Sequence, residues 1–175
     1  MSERGDYRLS KKEKYDIEKE LREWFRGAGR AVIVGVGNPI RMDDFVGVKI
    51  VRDLRGKVGS DRVMLIEAET VPENHMQQII DYEPTHILII DAAIQGQKPG
   101  QTKLINPEQL SAFPAFTTHM LPLRIFCEFA TKNTQAKIVL LLIESKNTDF
   151  GEGLSSEIFA SARYIMESLL AVLPQ

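Results

Sequence analysis

Ala31-Val-Ile-Val-Gly35-Val-Gly37-Asn-Pro-Ile-Arg-Met-Asp43-Asp44 begins with six apolar or small residues, passes through a glycine- and proline-bearing turn, and ends on two adjacent acids. A short β-branched run, a turn and then an amphipathic segment read as a buried strand feeding a helix, the first step of an α/β fold. Such sheets hold their ligands outside the carboxyl ends of the strands, which is where the acidic pair falls. A glycine turn before a helix usually cradles phosphate with backbone N–H groups, but two carboxylates repel phosphate and attract a cation.

Outward from this stretch, β-branched runs alternate with amphipathic segments. After strand 31–36 come a helix over about 44–55, a strand at 62–67, a helix over about 73–82 and a strand at 86–91. A hairpin-like excursion through Thr102-Lys-Leu-Ile105 precedes a helix near 119–131, a strand at 137–143 and a helix near 155–172. This alternation predicts right-handed crossovers and a largely parallel sheet with helices on both faces. The runs Ile87-Leu-Ile-Ile90 and Ile138-Val-Leu-Leu-Leu-Ile143 are apolar on both faces, as buried central strands require. Upstream, Ser10-Lys-Lys-Glu13 has capping-box spacing, and Ile17, Leu21, Trp24 and Phe25 recur at helical intervals until Gly27. Residues 1–30 therefore read as an N-terminal amphipathic helix extension and 31–175 as a single α/β domain. That helix either packs its apolar stripe on the domain or docks a partner.

Three polar residues stand at strand ends or helix starts on one predicted rim: Asp44 after the first strand, Asp91 closing Ile87-Leu-Ile-Ile90, and His119 at the start of a later helix. Parallel strands gather such positions at one edge, so two carboxylates and an imidazole converge there. Oxygen and nitrogen donors with open positions suit nickel, zinc or another transition ion, and leave room for water or a scissile carbonyl. Asp43 and Asp44 could instead cap a helix, and Asp43 is read as that cap. Asp91 needs partners if it is buried, and His119 alone could be an exposed helix-start residue. His75 and His86 read as structural or solvated. Glu67, Glu69 and Glu144 fall near the same rim without standing out as ligands. Gly35-x-Gly37 with Glu67 raises a nucleotide-binding alternative, weakened because Ile40 occupies the place of a third glycine.

The 175 residues are 43% hydrophobic and 26% charged, enough for one domain with a full core. With 22 basic and 24 acidic residues, the net charge of -2 offers no general attraction to nucleic acid or an anionic membrane. No run approaches the ~20 apolar residues of a membrane span. The polar N-terminus and the lone Cys127, set among helix-core residues, fit a cytoplasmic protein with a packed thiol.

Gly35-Val-Gly-Asn-Pro-Ile-Arg-Met-Asp-Asp44, Leu88-Ile-Ile-Asp91-Ala, Pro99-Gly100 and Thr117-Thr-His119-Met-Leu-Pro-Leu123 occur in the order seen in hydrogenase maturation endopeptidases. Over residues 31–172 the chain resembles the branch that processes hydrogenase-3-type nickel–iron hydrogenases, favoured by Val71-Pro-Glu-Asn74 and the Thr-Thr-His-x-x-Pro-Leu arrangement. It departs from the common pattern at Ala68-Glu69-Thr70, at Phe45 and in its 30 leading residues. The resemblance implies a three-layer αβα fold on a mostly parallel five-stranded sheet, of the phosphorylase/hydrolase-like kind. It also implies a peptidase that removes the C-terminal extension of the hydrogenase large-subunit precursor after nickel insertion. Asp44, Asp91 and His119 would then contact nickel that arrives with the nickel-loaded precursor, with no small-molecule cofactor, nucleic acid or membrane insertion involved. A nickel-sensing chaperone that binds the precursor without cutting it is the alternative from another class.

Overall fold

A computed structural model of the chain describes residues 11–111 and 117–175. Its strands are β1 (Ala31–Val36), β2 (Val63–Glu69), β3 (His86–Ala93), β4 (Thr102–Ile105) and β5 (Lys137–Glu144). They form one sheet in the order β2-β1-β3-β5-β4, parallel except for β4, which runs antiparallel to β5 at an edge. The helices are α1 (Lys11–Trp24), α2 (Val46–Leu54), α3 (Met76–Tyr82), α4 (Met120–Asn133) and α5 (Ser156–Val172). The capping-box serine, Ser10, lies outside the described residues.

Period-two alternation along the central strands sends successive side chains to opposite faces and so builds two cores. Ile33, Leu88 and Leu141 pack beneath α1, α2 and α5, whereas Val34, Ile89 and Leu140 pack beneath α3 and α4. This is the expected three-layer arrangement. Helix α1 joins the first core through Ile17 and Leu21, and Phe25 follows just after it, so its apolar stripe is buried against the domain.

Topology sets the position of the site. From β1 the chain crosses to β2 on one side, then returns past β1 to place β3 on the other. The crevice where the two crossovers diverge is the usual ligand position of such sheets, and it lies between the carboxyl ends of β1 and β3. Strand β3 runs to Ala93 rather than stopping at residue 91. Its pairing with β1 ends at Gly35↔Ile90, while its pairing with β5 continues to Ala93↔Glu144. Asp91 is thus a strand residue just beyond the last β1 contact.

At the opposite end of β3, His86 is buried against Trp24 and Phe25, with ring centroids 4.9 Å and 6.1 Å away. Burial, aided by Lys137, lowers its pKa, against a small opposing effect of the Trp24 backbone. The folded state therefore prefers the neutral ring. This contribution is intact above the ordinary imidazole value of about 6.5 and is lost as pH falls through the lower folded value. The melting midpoint of wild type should consequently drop more steeply than that of His86→Phe as pH falls below about 6.5. Parallel pH profiles for the two proteins would refute this role.

Candidate active site

Three segments distant in sequence meet at the β1/β3 crevice. Asp44 lies in a 3₁₀ turn, Met42–Phe45, that joins β1 to α2. Asp91 follows Ile87 and Ile89 on the α3/α4 face of β3, and His119 is the residue immediately before α4. All three side chains are buried. His119 Nδ1 lies 3.2 Å from Asp91 Oδ1, and Nε2 lies 3.5 Å from Asp44 Oδ2. One imidazole thus bridges two carboxylates.

The carboxylates are themselves held. Thr117 Oγ1 donates to Asp91 Oδ2 at 2.6 Å, and the Ala92 N–H donates to Oδ1 at 2.9 Å. Thr118 Oγ1 donates to Asp44 Oδ1 at 2.8 Å, while the Asn38 N–H donates to Oδ2 at 3.0 Å. Thr117 Oγ1 also accepts from the His119 N–H at 2.9 Å, which fixes the start of α4. Burial pushes the Asp91 carboxyl up, opposed by the His119 and Thr117 hydrogen bonds. For His119, burial favours the neutral ring, but Asp91 and then Asp44 outweigh it and raise its pKa, with Arg41 opposing them. The two carboxylates thus favour the protonated ring, against burial.

Asp43 does something other than cap its own helix. Fully buried, it reaches across the domain, accepting at Oδ2 from the Lys146 and Asn147 N–H groups and from Ser155 Oγ, and at Oδ1 from the Ser155 N–H. It ties the loop after β1 to the loop after β5 and to the start of α5. Met42 beside it takes a left-handed backbone with φ 41°, held by its N–H to the Gly151 carbonyl at 3.0 Å. Such a conformation costs a β-carbon-bearing residue on the order of 1 kcal/mol or more, so the loop is fixed by its surroundings rather than by local preference.

The remaining candidates lie elsewhere. Glu67 pairs with Arg52 and Arg55, which keep its carboxyl below the usual range despite burial. Glu144 accepts the Gln95 N–H, and Glu69 is exposed. His86 is a core residue, and Cys127 is a packed thiol pushed up to about 12 by burial and the nearby Glu108 and Glu128.

A profile of the HycI hydrogenase maturation protease family matches residues 48–172, which include Asp91 and His119. The chain belongs to this family. A Methanocaldococcus jannaschii protein assigned as a hydrogenase maturation protease is 30% identical over 166 residues, covering 91% of this chain and 97% of that one. The crystal structure of the nickel–iron hydrogenase maturation protease HycI from Thermococcus kodakarensis superposes with a TM-score of 0.81 at 29% identity, covering 88% of this chain and 98% of that one. The Escherichia coli K12 hydrogenase 3 maturation protease is 32% identical over 92 residues, 53% of this chain and 58% of that protein.

In this maturation protease the glycine turn serves packing, not phosphate. A β-carbon on Gly35 would lie 2.3 Å from the Gly47 carbonyl oxygen, and one on Gly47 would lie 2.1 Å from that of Ile90. The first turn of α2 therefore sits directly on the backbones of β1 and β3, and no periodicity marks Gly47 for this. Thr117 and Thr118 carry no such sign as single residues, and the sequence marks them only through the Thr-Thr-His arrangement. Thr118 Oγ1 lies 3.3 Å from Nδ1 and 3.4 Å from Nε2 of His119. An oxygen equidistant from both nitrogens lies off both lone-pair directions, so the pair lacks the alignment of a nucleophile and its base. Among the described residues no group of three or more His, Cys, Asp or Glu side chains is placed to hold an ion; His119 instead faces Asp91 and Asp44. Their chemistry, two oxygens and an imidazole nitrogen, is nonetheless that of a borderline divalent ion.

Proposed function

We propose that the chain is an endopeptidase that removes the C-terminal extension of a nickel–iron hydrogenase large-subunit precursor, and that it recognises precursor already loaded with nickel. The observation that carries this reading is the contact chain Asp44–His119–Asp91, buried at the β1/β3 crevice. Membership of a maturation protease family supports the proteolytic part. The donor set supports the nickel part.

In this mechanism the precursor brings the ion as part of the substrate, where it polarises the scissile carbonyl or activates water. His119 ligates only through a nitrogen that has given up its proton, so substrate docking and proton release from the ring are linked. Thr118 and the Asn38 N–H hold Asp44 in place, while Thr117 and the Ala92 N–H do the same for Asp91. Little reorganisation of the carboxylates is then needed when charge develops in the transition state. Cys127, buried and held as the thiol, takes no part.

The test is to incubate the purified protein with nickel-loaded and nickel-free precursor and to weigh the products. Shortening of the loaded precursor alone is expected. An intact mass within a stable complex would mean a non-catalytic chaperone, and equal cutting of both forms would remove nickel from the recognition step.

A further inference from the structure

Among the described residues, seven of the eight large apolar side chains that stand exposed lie on α4 or follow a strand at the carboxyl rim of the sheet. Leu121, Ile125 and Phe129 stand 66%, 50% and 44% exposed along α4 at i, i+4 and i+8. The same helix turns Leu123, Phe126, Cys127 and Ala130 into the core, so these three form a second apolar stripe on its outer side. Each parallel strand is also followed on the carboxyl rim by one exposed apolar residue: Ile40 after β1, Val71 after β2, Ile94 after β3 and Phe150 after β5. Apolar surface gathered in this way marks an interaction site rather than ordinary surface scatter.

We propose that the outer stripe of α4 is a docking track for the precursor, seating an apolar face of a helix and leading its chain over the rim to His119. This rests on the proteolytic reading above. The occupant follows from continuity: Leu121 lies two residues from His119, so a partner on the stripe also covers the approach to the buried site. A second copy of the chain seated there would obstruct that approach, whereas a polypeptide substrate needs it. Eight residues of helix span about 12 Å, which suits two turns of an amphipathic segment with anchors at i and i+4.

Ile125→Glu and Phe129→Glu test the track outside the buried site, with Phe159→Glu on α5 as a control that is equally exposed but lies on the opposite layer. All should melt like wild type. The two α4 variants should raise KM for the precursor about tenfold or more with little change in kcat, and weaken binding of uncleaved precursor to the same degree, while the control stays within about twofold. Unchanged KM and binding in both α4 variants would overturn the proposal. So would a concentration-dependent dimer in sedimentation that these variants dissolve without affecting precursor binding, since the stripe would then join copies of the chain. If wild type binds the precursor but leaves it whole, the proteolytic reading fails, and the binding measurement still decides the docking track.

Discussion

Asp91→Asn is expected to slow precursor processing by at least about a hundredfold while leaving the fold intact, and Asp44→Ala and His119→Ala should be comparably inactive. The asparagine change separates a structural carboxylate from a functional one. The amide oxygen can still accept from Thr117 Oγ1 or the Ala92 N–H, so local packing survives. What disappears is the charge beside His119 Nδ1, and with it an anionic donor and the larger of the two carboxylate effects that raise the ring's pKa. Burial already disfavours the ionised Asp91, so stability should change little or even rise. Loss of cleavage at an undiminished melting temperature is the signature of a group kept for chemistry. Near-normal cleavage by Asp91→Asn would make it a hydrogen-bonding residue of the core, and near-normal cleavage by either alanine variant would remove that residue from the site.

The parts of the molecule that could be read from sequence are those whose cause is local. Strand runs such as Ile87-Leu-Ile-Ile90 and the helical spacing of Ile17, Leu21 and Phe25 announce themselves, because burial on a strand or helix repeats at a fixed period. The convergence of Asp44, Asp91 and His119 followed from the geometry of parallel sheets and needed no contact to be seen. Other features have non-local causes. The extension of β3 beyond Asp91 depends on β5, which outlasts β1 as its partner. Asp43 looked like a cap because a carboxylate beside a helix start usually is one, yet its partners lie more than a hundred residues away in the loop at 146–155. No window around residue 43 contains them. The bridging of both ring nitrogens of His119 is likewise a matter of side-chain placement within the crevice, which spacing leaves undetermined.

Gly47 is the position where local and tertiary preferences oppose each other most sharply, so Gly47→Ala tests the packing that supports the site. In an exposed helix the change would add up to about 1 kcal/mol of stability. Here the new methyl would stand 2.1 Å from the Ile90 carbonyl oxygen and 2.4 Å from that of Val36. Both are backbone atoms of strands flanking the crevice, so relief requires α2 to lift away from β1 and β3. Overpacking of this kind costs about 3 kcal/mol or more, which exceeds the helix gain and leaves a net loss of about 2 kcal/mol. In a domain of this size that lowers the melting midpoint by about 5 °C or more. Gly59→Ala is the matched control, because a β-carbon there meets nothing within 4 Å. Lifting α2 also shifts Asp44, three residues before Gly47, away from His119. Processing by Gly47→Ala should therefore fall severalfold even well below its melting range. A midpoint at or above that of wild type would mean that the crevice yields easily and that the glycine contact does not position the site.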